Sequence, residues 1–130
     1  MKHLLPLCLM LILSGLGPFA GTAQAQVFNM PLPALPENQE ILVVEVELAP
    51  GEASAPHRHN AYVFVYVLEG EVNMQVEGGE LVTLTPGEMF YENRDDIHVV
   101  SQNASDTEPA KLLVHIIKTA GVPVSTPVSN

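Results

Sequence analysis

From residue 41 onward the chain is a succession of short apolar or alternating runs, each closed by turn-forming residues. ILVVEVEL (Ile41 to Leu48) alternates and ends at Ala49-Pro50-Gly51-Glu52; the apolar run from Tyr62 to Leu68 ends at Glu69-Gly70. EVNMQVE ends at Gly78-Gly79, LVTLT at Pro86-Gly87, and MFYE at Asn93-Arg94-Asp95-Asp96. IHVVS follows, then a polar loop, then KLLVHIIK. Strands at this spacing with turn signals between them predict an all-β sandwich or barrel. No stretch keeps a helical period for three turns.

The ends read differently. MKHLLPLCLMLILSGLGPFAGTAQAQ has a short basic start, an apolar core from Leu4 to Leu16 and a small-x-small site at Ala23-Gln24-Ala25. This is the pattern of a secretory leader, residues 1–25, and predicts export to the periplasm or the extracellular medium. Its apolar core is short for a membrane span, which takes about 20 residues. Residues 26–39, with Pro31, Pro33 and Pro36, read as an extended N-terminal arm. A β domain is expected over 40–119 and a tail over 120–130, whose valines and prolines suit either an edge position or a loose end.

Composition narrows the partners. The formal charge is −10, and without Lys2 the exported chain carries four basic against 15 acidic side chains, or −11. Such a surface is a poor partner for nucleic acid or an anionic membrane. The single cysteine, Cys8, lies inside the leader, so no disulfide supports the exported domain. A domain of this size buries enough surface for a core without one.

The candidate chemistry lies in the histidines. His57 and His59 form an H-x-H pair, and residues two apart in a strand project to one face, where both imidazoles can reach one point. Imidazole ligands need that convergence at about 2.0–2.1 Å from an ion. His98, in IHVV, is placed to supply a third. Taken alone, an H-x-H is as readily a pair of half-buried or surface histidines.

The segment Gly51-x5-His57-x-His59-x3-Val63-x6-Gly70 resembles the first motif of the cupins. Pro86-Gly87, then His98, then Asn103 resemble the second, and the likeness runs from about Val43 to Lys118. It implies a small single-domain cupin of the type-2, quercetin-dioxygenase-like kind: a double-stranded β-helix, or jelly-roll barrel, with one metal held by His57, His59 and His98. A homodimer is expected on the same ground. Three departures stand out. Val63 occupies the place of the usual glutamate ligand, the Gly87 to His98 interval is longer than the family's short form, and Asn103 follows His98 by five residues rather than four.

The missing carboxylate leaves three outcomes open: three neutral imidazoles alone, a carboxylate supplied from another strand with Glu92 as the candidate fourth ligand, or a barrel without metal. Imidazole ligands suit Fe, Zn, Ni or Cu better than Mn. The expected function is a metal-dependent enzyme, dioxygenase-like or a Lewis-acid isomerase or lyase, acting on a small organic molecule; the alternative is a non-catalytic module binding a small ligand or metal. Tyr62, Phe64, Tyr66, Phe90 and Tyr91 are candidates to line its pocket, though aromatic residues in short strands are more often core. His115 reads as a packing or edge-strand histidine.

Overall fold

The computed structural model describes residues 25–128; the expected leader falls, but for Ala25, outside the described residues. Among the described residues nine strands form: β1 (Gln39–Leu48), β2 (His57–Arg58), β3 (Tyr62–Glu69), β4 (Val72–Val76), β5 (Val82–Leu84), β6 (Met89–Glu92), β7 (His98–Asn103), β8 (Ala110–Thr119) and β9 (Thr126–Pro127). They pair antiparallel in two sheets, of order β1-β8-β3-β6 and β5-β4-β7-β2-β9. The crossovers between the sheets make this a jelly roll, the double-stranded β-helix. Every run read as a strand from the sequence is one, and the tail adds a short edge strand, β9, against β2.

Alternation decides what faces inward. Along β8 every second residue from Ala110 to Lys118 is buried, and in β1 the even positions from Leu42 to Leu48 are the more covered, while Ile41 and Val43 are exposed. Val63, Val65 and Val67 of β3 meet Leu112, Val114 and Ile116 of β8 in the core, with Val72 and Met74 of β4 closing it from the second sheet. Burying side chains of this kind contributes about 1.5–3 kcal/mol each. His115 lies on the outer face of β8, which runs between β1 and β3 and is therefore not an edge strand.

The outer face of the four-stranded sheet carries its aromatics other than Phe90. Phe64 packs against Tyr91, its register partner on β6, at a centroid distance of 5.2 Å, and against Phe28 of the arm at 5.9 Å. Arg94 sits 5.6 Å from the ring centroid of Tyr62. Here the structure corrects the sequence reading: Tyr62, Phe64, Tyr66 and Tyr91 do not line the interior cavity. The valines between them do, because period-two alternation sends neighbouring residues to opposite faces.

Two local features hold the ends of the barrel. Gly70, at the crossing from β3 to β4, has φ +74°, and a Cβ there would stand 2.6 Å from the carbonyl oxygen of Pro109, so only glycine fits. Asn103 is 1% exposed; its amide donates to the carbonyls of Leu48, Ala49 and Glu108 while its oxygen accepts from the Ser105 N–H. The five-residue step from His98 to Asn103 has a structural answer. Gln75 pairs with Val100 and Val76 with His98, so Val99 is a bulge, and the extra residue returns both His98 and Asn103 to the inner face.

Candidate metal centre

The three histidines meet at one end of the interior. β2 pairs His57 directly with His98 on β7, which sets the two rings 5.2 Å apart. His59 lies one residue beyond β2, yet its ring returns to the same point, perpendicular to that of His57. One nitrogen from each of the three lies within 4.8 Å of the others.

Backbone carbonyls determine which nitrogen faces inward. His57 Nδ1 lies 2.8 Å from the carbonyl oxygen of Ala55, and His59 Nδ1 lies 2.8 Å from that of Val124. A carbonyl oxygen only accepts, so each Nδ1 carries its ring's proton and donates, leaving each neutral ring with a lone pair on Nε2. Those two Nε2 atoms stand 3.1 Å apart. Two lone pairs at that distance repel unless a cation lies between them. A proton could fill that role, but burial pulls the pKa of His57 below its usual 6.5. Ligands at about 2.0–2.1 Å from one ion stand roughly 3–4 Å apart, a spacing the pair already has and His98 reaches by a small adjustment.

The buried polar atoms around the triad are unsatisfied in the same sense. His98 is 3% exposed, and among the described residues neither of its ring nitrogens makes an aligned hydrogen bond; the same holds for Oε1 of Glu92, which stands 3.2 Å from His98 Nδ1 without the geometry of one. Buried polar groups are normally paired, so a cluster of orphans calls for an explanation such as an ion. The donor set of imidazoles with one carboxylate fits a divalent transition metal.

Glu92, the candidate fourth ligand, is in the interior. It is 2% exposed, with Oε1 3.2 Å from His98 Nδ1 and Oε2 3.9 Å from His59 Nε2. Its partner across the β3–β6 ladder is Val63. Directly opposed residues share a face with Cβ atoms about 4.5–5.5 Å apart. Glu92 thus brings a carboxylate from β6 to within one strand spacing of position 63.

A cavity of about 170 Å³ adjoins the triad. Its walls are chiefly aliphatic, among them Val44, Val65, Met74, Val114 and Ile116, and its polar lining beyond the histidines and Glu92 is Ser54 and Ser101. Phe90, on the inner face of β6, stacks on His98 at 5.7 Å and 23°. Val124 reaches the cavity from the tail, and the β2–β9 pairing holds its carbonyl over His59. Phe90 is among the aromatics the sequence offers for the pocket and shares Glu92's face by i, i+2 spacing; Val124 is not singled out, because nothing local marks a carbonyl 65 residues from its histidine.

A sequence model described as a cupin domain matches residues 44–116. No curated protein matches. Among solved structures, TT1209 from Thermus thermophilus is 30% identical at TM-score 0.54, over 68% of this chain and 81% of that one. The DMSP lyase DddQ from Ruegeria pomeroyi DSS-3 is 19% identical at TM-score 0.59, over 68% of this chain and 43% of its own. A salicylate 1,2-dioxygenase from Pseudaminobacter salicylatoxidans is 26% identical at TM-score 0.53, over 58% of this chain and 21% of its own. The chain therefore spans less than half of the lyase and about a fifth of the dioxygenase.

Proposed function

This chain belongs to the cupin domain family, and from that premise we propose that it is an exported metal-dependent enzyme acting on a small organic molecule held in its interior cavity. His57, His59 and His98 hold the ion, and Glu92 is its carboxylate donor. One observation carries this reading: the two Nε2 lone pairs aimed at each other across 3.1 Å, each fixed by a carbonyl on the far side of its ring. The outer hydrogen bonds do for these ligands what such partners commonly do, setting tautomer and orientation. Bound there, a redox-active ion would supply dioxygen chemistry, and Zn or Ni Lewis-acid chemistry.

The chain's own residues favour the dioxygenase-like form. With the tyrosines on the outer face, and Tyr91's phenol raised further by burial, proton-transfer groups in the cavity are limited to Glu92, Ser54 and Ser101. A reaction that needs a separate general acid and base finds no second pair among the described residues. The aliphatic walls exclude water from the reacting centre. The same scarcity supports the second reading, a cupin that binds its ligand without turnover.

Elemental analysis of untagged protein beside a His57→Ala/His98→Ala variant is the test. Near-stoichiometric metal that the variant loses is expected; no metal in either after reconstitution overturns the proposal. Oxygen uptake with Fe(II) and small organic acids and thiols then separates an oxygenase from a binding module, which consumes none.

A further inference from the structure

We infer that the ligand of this cavity is a compact monoanion: one anionic head that meets the ion and an uncharged, aliphatic remainder. The inference rests on the metal reading above and extends it to substrate class. Size comes first. A cavity of about 170 Å³ is close to the roughly 150 Å³ known to hold benzene, so the part of the ligand it encloses is limited to about six to eight non-hydrogen atoms.

Charge narrows the class further. A divalent ion beside the Glu92 carboxylate leaves one net positive charge, in a site where Glu92 and His98 are 2% and 3% exposed. One anionic head brings that to zero. Among the described residues the cavity lining contains no lysine or arginine, so a second carboxylate on the ligand has no counter-charge. Beyond Glu92 it contains no carboxylate, so a cationic tail has none either. Ser54 and Ser101 can each offer a hydroxyl, which neutralises neither. Against walls such as Val44, Val65 and Val114, an unpaired charge is costly and a branched alkyl group is favoured.

Three probes of similar size isolate the effect: isovalerate, N,N-dimethylglycine, which has the same skeleton with a cationic centre, and succinate, which replaces the branched end by a second carboxylate. Each is titrated calorimetrically into protein reconstituted with Co(II), whose content is first fixed by elemental analysis. Isovalerate is expected to bind about tenfold or more tighter than either of the others. A Ser54→Arg variant, which puts a cation at the exposed mouth, is expected to narrow the gap to succinate and not the gap to dimethylglycine, whose ammonium it repels. Succinate or dimethylglycine binding as tightly as isovalerate, no binding by any probe, or a succinate gap unmoved by Ser54→Arg overturns the inference while the metal reading stands. Failure to take up Co(II) overturns the metal reading itself, and the inference with it.

Discussion

Replacing Glu92 by glutamine leaves the shape of the side chain and removes its charge, and the structure predicts opposite effects on two measurable quantities. With an ion bound, the carboxylate is a counter-charge. Its oxygens lie 3.2 and 3.9 Å from ring nitrogens of His98 and His59, so an ion held by those rings lies within about 4 Å of it. A unit pair at that distance is worth about 4 kcal/mol at an effective dielectric of 20, and a divalent ion doubles the gross figure. Desolvation and the remaining amide oxygen offset part of this, leaving about 2–4 kcal/mol, or roughly 30- to 1,000-fold in affinity. Without an ion the sign reverses. Oε1 of Glu92 is then a buried carboxylate oxygen whose 3.2 Å contact with His98 Nδ1 is not an aligned hydrogen bond, and the neutral amide is cheaper to bury. Metal-free Glu92→Gln should therefore be more stable than wild type by about 1–2 kcal/mol, raising Tm by roughly 5–15 °C in a domain of this size. The assays are chelator competition for affinity and calorimetric melting in EDTA at pH 8. A metal-free variant that melts below wild type, with metal affinity changed less than threefold, would refute the reasoning and make Glu92 a structural partner of His98.

Other substitutions test separate parts of the structure. Because burial holds His57 below its usual pKa, the unfolded chain takes up that proton first as pH falls. The unfolded state thus binds more protons below about 6.5, and metal-free protein loses stability from there down to the folded value, where the loss levels off. Urea midpoints at pH 5.5 and 7.5 should show this slope reduced in His57→Gln, and identical slopes would contradict it. Proton competition for the imidazoles should release metal as pH falls through the region around 6, and at higher pH in Glu92→Gln than in wild type; metal analysis after dialysis across that range checks the order. Asn103→Leu strands the carbonyls of Leu48, Ala49 and Glu108, and should cost about 2–4 kcal/mol by denaturant unfolding. Gly70→Ala drives a Cβ into Pro109 at a positive φ and should lower Tm by several degrees, whereas Gly78→Ala, with the same sign of φ but open space, should cost less.

What the sequence determined by itself was local. Alternation and turn residues placed the strands because strand periodicity and chain reversal depend on neighbours in the chain. The histidine pair and His98 were marked as candidates by residue type and spacing alone. Three things were decided only in the folded chain. YVFVYVLE is apolar on both faces, so its pattern carries no sign of which one turns inward, and the aromatic face went outward against the arm. The position of Glu92 opposite Val63 is a property of strand register between residues 29 apart in sequence, which is set by packing of the whole sheet. The bulge at Val99 and the carbonyl of Val124 over His59 likewise belong to pairings between distant segments. A ligand's identity is written in one residue, but its protonated nitrogen, its burial and its counter-charge come from neighbours that only the tertiary fold brings within reach.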